Sequence, residues 1–561
     1  MSSTVALTGL LPFVVLLAAL LAFPLCFLLL KLYRGSVRKG MRSMGGSQQG
    51  SRAPAASPRA PASQLRILAA GADSTSDGPE VQTPAYRRAV FGPWRASLVY
   101  AVAGVSYAAV MTGGWLLATR DEAIVWTKLL ILSWTYFWPA VLSVLLVAAY
   151  DRSRQAQLLG SYFAVFAVLV AIAVARNPQM GIGSLPLYWA IVNGPPTVLL
   201  LTFLLRPIRA VGPLVLAFLI VVAIGSQSLL SIAAANEDLL RAIAQFGFQI
   251  GLNATAVFVG MIVVGVLLFG LLGWPLLRLL GKRYERKKLS DQSLVMDSLW
   301  LLFGVEQSIG LAFEAPPWIL TGLVAFIAYK LVSRFGWAWA AARSTGAGSK
   351  TLLLLRVFAL AKRSEQLFDK LRKHWQYAGS IAMIAGPDLV TTTVEPHEFL
   401  DFVGGRLGRQ FVRGKEDLDR RVQAIDKAAD PDGRYRINEF FCHADTWQMT
   451  MERLAETSDA VLMDLRSFSP TNQGCVFELG RLVDGVELNR VVLLVDDTTD
   501  RGFLESTLQR LWQGMSADSP NQSALSPAVR LFGLQRQSES ELKALLRLVL
   551  GRAAAPTLVA T

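Results

Sequence analysis

The stretch with most chemical content runs Ser458-Asp459-Ala460-Val461-Leu462-Met463-Asp464-Leu465-Arg466-Ser467-Phe468-Ser469-Pro470-Thr471-Asn472-Gln473-Gly474-Cys475-Val476-Phe477-Glu478-Leu479-Gly480. An apolar run of strand length ends near Leu465, a polar loop follows, and a helix is expected to start near Gly474 with Glu478 in its first turn. A helix N-terminus carries partial positive charge, so a carboxylate there is expected in its ionised form. The same glutamate also suits a plain role, complementing the dipole and capping amides.

Other residues offer weaker chemistry. Arg356 closes an apolar run and can bind phosphate at a sheet edge or pair with a local carboxylate. Cys442 beside His443 suggests a nucleophile, but cysteine is frequently just buried. Asp496-Asp497 after Val491–Val495 suits a metal, a ribose or an ordinary turn, and Trp447 suits either a base or the core. Gly346-Ala347-Gly348-Ser349-Lys350-Thr351 has phosphate-loop flavour but precedes a strand instead of following one, so it reads as linker. Three cysteines and three histidines, scattered, point to reduced thiols and no metal site. No cofactor is implied.

The residues Cys475-Val476-Phe477-Glu478-Leu479 resemble the Cys-x-x-Glu-Leu signature of Toll/interleukin-receptor (TIR) domains, and Phe477-Glu478-Leu479-Gly480 is similar to the helix opening of nucleoside 2-deoxyribosyltransferases. With Leu352-Leu353-Leu354-Leu355-Arg356 and Asp445-Thr446-Trp447-Gln448, the likeness extends over most of 350–555 to a TIR-like domain of bacterial membrane proteins. It implies a flavodoxin-like sheet, Glu478 as the catalytic carboxylate at the anomeric carbon of NAD or a related nucleotide, and Asp464, Arg466 and Ser469, with Cys475 of the motif, around the ligand. Gly474 stands where a TIR motif has tryptophan.

The elements needed to position these groups follow from pattern. Short apolar runs at Leu352–Phe358, Ser380–Ala385, Tyr435–Phe441, Ala460–Leu465, Arg490–Val495 and Val529–Phe532 alternate with amphipathic stretches near 360–377, 396–410, 444–457, 474–487, 500–514 and 539–551. Buried parallel strands read this way, and the alternation predicts a doubly wound parallel sheet. Ligands of such sheets bind beyond the carboxyl ends of the strands.

The rest of the 561-residue chain is of another kind, because 53% of residues are hydrophobic and 17% charged. An apolar run at 10–30 and others near 96–118, 125–149, 158–175, 185–205, 210–232, 249–277, 293–312 and 317–334 have the length to cross a bilayer, which predicts nine spans. Arg87, Arg88 and Arg95, then Arg152 and Arg154, Arg206 and Arg209, Arg278 to Lys288, and Lys330 with Arg334 fall at alternate ends. The positive-inside rule therefore places the N-terminus outside and the C-terminal domain in the cytoplasm of a bacterial inner membrane. The net charge of +14 is read as topological, and nucleic acid is not an expected partner.

The expected organisation is an anchor over 1–31, a disordered basic linker over 32–95, a multi-span region over 96–338, a linker over 339–350 and a cytoplasmic TIR-like domain over 351–555, also a candidate for homo-oligomerisation. Within the spans, Glu306 is a proton or ion ligand or a carboxylate bonded to a neighbouring helix. Asn193-Gly194-Pro195-Pro196 is expected to break its helix, as at transporter sites. The functional expectation is a membrane-anchored signalling or defence protein that cleaves a nucleotide's N-glycosidic bond; the alternatives are a non-catalytic nucleotide-binding or assembly module and a transporter with a cytosolic regulatory domain.

Overall fold

A computed structural model describes residues 3–42, 64–70, 83–119, 125–148, 152–179, 181–203, 211–342, 348–356, 361–385, 396–524 and 527–550. The helical half comprises α1 (Ser3–Arg42), α2 (Pro84–Ala118), α3 (Trp126–Tyr136), α4 (Trp138–Val147), α5 (Arg152–Arg176), α6 (Ser184–Phe203), α7 (Gly212–Ala235), α8 (Glu237–Gln249), α9 (Ala254–Glu285), α10 (Asp291–Ala312) and α11 (Leu320–Ala342). Among the described residues, seven segments are long and apolar enough to cross a membrane, with α3 and α4 together forming one of them. Exposed Val102, Val105, Val264, Leu267 and Leu271 give these helices an apolar outer surface, as contact with lipid requires.

Helix α6 runs without interruption through Asn193-Gly194-Pro195-Pro196, correcting the expected break. Neighbouring groups satisfy the polar atoms there. The Asn193 side chain donates to the Thr135 carbonyl at 3.1 Å and accepts from Gln307 at 2.8 Å, Gln307 in turn accepts from Tyr107 at 2.8 Å, and the Thr197 hydroxyl donates to the Asn193 carbonyl at 2.5 Å. Helices α10 and α11 meet backbone to backbone, since a Cβ on Gly322 would lie 1.9 Å from the Gly304 carbonyl oxygen.

The second half is one parallel sheet of β1 (Arg66–Ala70), β2 (Leu352–Arg356), β3 (Ile381–Ala385), β4 (Phe411–Val412), β5 (Ile437–Cys442), β6 (Ala460–Asp464), β7 (Val491–Val495) and β8 (Ala528–Gly533), in the order β1-β8-β7-β6-β2-β3-β5-β4. All six expected strands are present, and their apolar side chains face two layers. On one face lie α14 (Lys415–Gln423), α15 (Trp447–Thr457), α16 (Gln473–Gly485) and α17 (Arg501–Gln513), packed on Leu353, Val461, Met463 and Leu493. On the other lie α12 (Ala361–Trp375) and α18 (Glu539–Leu550), packed on Leu352, Leu354, Leu462 and Leu494. A shorter helix, α13 (Pro396–Val403), follows β3.

Counting from β2 and leaving out the two-residue β4, the strands run 3-2-1-4-5-6 instead of the 2-1-3-4-5 of a flavodoxin-like sheet. The chain turns outward past β3 to β5, then returns to the other side of β2 with β6. The switch point therefore lies between β2 and β6, whose final residues Arg356 and Asp464 are paired in register.

Two results correct parts of the expected linker over 32–95, of which residues 43–63 and 71–82 lie outside the described residues. Residues 66–70 form β1, in parallel register with β8 from Arg66 opposite Ala528 to Ala70 opposite Phe532. Helix α2 begins at Pro84, with Thr83 capping the Tyr86 amide, and its first turns belong to the sheet domain. Ala85, Tyr86 and Ala89 are buried in the same cluster as α12, α18 and the strands. Arg547 donates to the Tyr86 hydroxyl at 2.9 Å, the Thr83 hydroxyl donates to the Leu550 carbonyl at 2.8 Å, and the His374 ring meets the Ala89 carbonyl at 3.1 Å. The same helix then continues as a core member of the bundle through Tyr100, Tyr107 and Met111. Helix α1 makes a comparable contact, since a Cβ on Gly40 would sit 2.6 Å from the Phe411 ring and Tyr33 donates to Glu398 at 3.2 Å.

A third attachment joins the α9–α10 turn to the segment leading into β5. Arg436 donates to the Tyr284 and Leu289 carbonyls at 2.6 and 3.2 Å, lies 4.0 Å over the Tyr284 ring, and pairs with Asp430 at 2.9 Å. Ser290 donates to Asp432 at 2.5 Å, and Lys287 binds both Asp426 and the Ala428 carbonyl. Burial pushes the Asp430 carboxyl up to about 6, against the pull of Arg436, so the pair is ionised at neutral pH.

Tyr86 tests this architecture. Tyr86→Ala should destabilise the full chain by roughly 3 kcal/mol, the usual cost of emptying an aromatic site, whereas Tyr86→Phe should cost about 1 kcal/mol for the hydrogen bond alone. Thermal unfolding in detergent with far-ultraviolet circular dichroism reads both. Equal stability of all three proteins would place the start of α2 outside the core.

Candidate functional site

The strand β6 delivers Asp464 to the switch point, and Leu465 continues the pairing by donating to the Leu494 carbonyl at 2.9 Å. Arg466 folds back on Asp464 in a two-point ion pair, with Nε and Nη2 at 2.8 and 2.7 Å from the two carboxylate oxygens. Both side chains are fully buried, at 1% and 2% exposure, so removing either would leave a buried charge uncompensated. Ser467 adopts φ +58°, and its amide donates to the Thr498 hydroxyl at 3.0 Å. Thr499 donates to the Leu465 carbonyl at 3.1 Å, and the Asp500 amide donates to the Phe468 carbonyl at 3.0 Å. The loop after β6 is thereby fastened to the loop after β7.

Helix α16 opens at Gln473 with Asn472 as its N-cap, which puts Glu478 in the second turn. The expectation of a dipole-stabilised, ionised Glu478 is corrected on this ground, because the field of the helix end acts mainly within the first turn. Instead the carboxyl is 3% exposed, and among the described residues it has no hydrogen-bond or ion-pair partner. Burial pushes it up to about 8, so at neutral pH Glu478 is a carboxylic acid. Cys475, one turn earlier, is buried and pushed up to about 12 by desolvation, with the charges of Glu478 and Asp464 adding to the shift. It is a protonated thiol next to a protonated acid, not a nucleophile.

The structure thus brings together Asp464, Cys475 and Glu478, with Arg466 clamped to Asp464. Arg356 lies opposite Asp464 in the neighbouring strand, and its side chain falls outside the described residues. Ser469 sits at the mouth of the same loop, where its amide and hydroxyl both donate to Asn472 Oδ1, at 2.9 and 3.1 Å. What this arrangement can do is donate a proton or hydrogen bond from Glu478 or, once the acid ionises, set a buried negative charge against a developing cation.

The other candidates resolve into structural roles. Cys442 is buried and pushed up to about 11, while the His443 ring stacks on Phe411 and contacts the Gly40 carbonyl at 2.9 Å, so the two form no dyad. Asp496 accepts from the Thr498 amide and hydroxyl at 2.9 and 2.6 Å, and Asp497 accepts from Gln535 at 2.7 Å. These carboxylates build a turn, and among the described residues no cluster of three or more His, Cys, Asp or Glu could hold a metal. Trp447 packs on Phe477, with ring centroids 5.6 Å apart, at the edge of the core. Thr498 and Thr499, which tie the two loops together, carried no signal beyond a polar run after a strand.

Comparison of the chain with protein-family models, with curated proteins and with solved structures gives no match.

The acid state of Glu478 has a thermodynamic consequence. Its native pKa lies above its unfolded value, so the native state holds more protons between about pH 4.5 and 8 and stability falls as pH rises through that interval. At about 1.4 kcal/mol per unit, the loss amounts to a few kcal/mol. Glu478→Gln, neutral and of the same shape, should remove this slope and leave a protein more stable than wild type at pH 8. Parallel pH profiles of the two, equally steep, would contradict the buried acid.

Proposed function

We propose that this chain is a membrane-anchored signalling or defence protein in which nine spans, N-terminus outside, hold a cytoplasmic nucleotide-processing domain on the inner membrane of a bacterium. The observation that carries the proposal is an unpartnered, buried carboxyl, Glu478, beside the switch point of a doubly wound parallel sheet, where ligands of such sheets bind. The short likeness of Cys475–Leu479 to the TIR signature assigns that carboxyl the cleavage of an N-glycosidic bond in NAD or a related nucleotide.

The chemistry is simple to write. Water adds to the anomeric carbon, nicotinamide leaves with the electrons of the glycosidic bond, and one proton is released. The nicotinamide ring of NAD is cationic, and a cation beside Glu478 favours its ionised form. The carboxylate then faces the oxocarbenium-like carbon in a site with little water, where one charge acts strongly. Ser469 serves the sugar or phosphate at the loop mouth, the resemblance assigns Arg356 to the same ligand, and Asp464 and Arg466 hold the loop in shape.

A second reading keeps the ligand and drops the reaction. It is favoured by the near-complete enclosure of Glu478, whose neutral acid can donate a hydrogen bond to a bound nucleotide without reacting. The transporter alternative loses its broken-helix argument with the continuity of α6.

The test is NAD consumption by the full chain in lipid nanodiscs. Wild type should turn over, with kcat/KM rising through about pH 8 as free Glu478 ionises, and Glu478→Gln should lose activity by roughly 10²-fold or more. NAD binding without turnover in both proteins would select the second reading, and neither binding nor turnover would overturn both.

A further inference from the structure

Where the sheet domain meets the bundle, a small cleft is lined by Arg88, Gly92 and Arg95 of α2, by Trp337, Ala340 and Ala341 at the end of α11, and by Tyr377 and the Asp432-Gly433 turn. From this cleft we infer a binding site for the phosphate of an anionic phospholipid, which fastens the sheet domain to the membrane face of the bundle.

The level of the cleft is set by its neighbours. Above Arg88, α2 is core of the sheet domain, and below Arg95 it is core of the bundle. Phe91, Trp94, Phe335 and Trp339 are exposed at this height, 48%, 58%, 72% and 46%. Aromatic side chains arrayed outward at one height mark the interfacial layer of a bilayer, where lipid phosphates lie.

Two cations line the cleft. Arg95 is half-buried and, among the described residues, has no hydrogen-bond or ion-pair partner. Arg88 stands two turns away on the same side of α2 and donates from Nη2 to the Gly348 carbonyl at 3.1 Å, so it is already turned toward the sheet domain. Asp432, the one acid of the lining, is engaged from the protein side by the Ser290 hydroxyl at 2.5 Å and the Arg434 amide at 3.2 Å. The two arginines therefore outweigh the single internally bonded acid.

The source of the phosphate follows from what flanks it. Phe91 and Leu98 lie four residues before and three after Arg95, so both adjoin it on the helix surface, and both are exposed and apolar. A free phosphate has no use for that surface, whereas a phospholipid lays its acyl chains there while its headgroup meets Arg95. Basic pockets between spans on the cytoplasmic side are suited to such headgroups.

The experiment uses the full chain. Native mass spectrometry of wild type released from mixed phosphatidylglycerol and phosphatidylcholine should show retention of the anionic lipid over the neutral one by about five-fold, the ratio one cation near an anionic surface is worth. Arg95→Gln should reduce that preference toward unity and Arg95→Lys should restore much of it. In parallel, phosphatidylglycerol nanodiscs should raise the Tm of wild type by a few degrees over phosphatidylcholine nanodiscs, with a smaller rise for Arg95→Gln. Equal retention of both lipids by wild type would overturn the inference, as would an unchanged preference in Arg95→Gln. A rise in Tm with inorganic phosphate in detergent equal to that given by the lipid would identify a soluble anion instead and overturn the lipid assignment.

Discussion

The insertion of one helix into two cores is the constraint from which the rest of the molecule follows. Tyr86 and Ala89 are as much part of the sheet domain as Leu354 or Leu545, and Tyr107 and Met111 of the same helix are as much part of the bundle as Trp300. A helix is stiff over this distance, so the sheet domain cannot rotate freely beneath the membrane. Arg436 and Ser290 add a second hold at the lead-in to β5, and Gly40 against Phe411 a third at the far edge of the sheet. Three attachments at different places on the sheet restrict both tilt and twist. Any rearrangement of α1, α2 or the α9–α10 turn is thereby applied directly to the strands.

The buried acid lies inside the sheet domain, away from these attachments. An unpartnered carboxyl is costly inside a protein and persists where the surroundings leave it no alternative. Around Glu478 the alternatives are closed: Arg466 is paired with Asp464, and the loop above is tied to Thr498 and Thr499. Such a site stores free energy that a cationic or hydrogen-bonding ligand can release.

Much of this was legible from residue pattern, and the failures have physical causes. Leu352–Arg356, Ala460–Asp464 and Val491–Val495 are continuous apolar runs of strand length, and burial on both faces requires that pattern. Arg66–Ala70 escaped because a five-residue edge strand in a Ser-, Ala- and Pro-rich context has little propensity of its own and exists through its pairing with β8. The start of α2 escaped because Arg87, Arg88 and Arg95 read as a basic loop at the membrane surface, although Tyr86 and Ala89 on the other side of the helix are core. At the site, the meeting of Asp464, Cys475 and Glu478 was visible as a strand-loop-helix unit. The charge state of Glu478 was not, because Glu478 is the sixth residue of α16, beyond its first turn, and because spacing alone does not report burial. Strand order was equally hidden, since β4 is two residues long and local pattern carries no record of which side of β2 a later strand joins.

Hydrogen exchange of the full chain in nanodiscs tests the central claim most directly. If the two halves share one structural core, the amides of residues 66–70 and of the first turns of α2 after Thr83 should exchange as slowly as those of β7 and β8, with which they are joined in pairing and packing. Exchange of those segments at the rate of free chain, while β7 and β8 stay protected, would contradict the account and return the segment before the second span to the status of a tether.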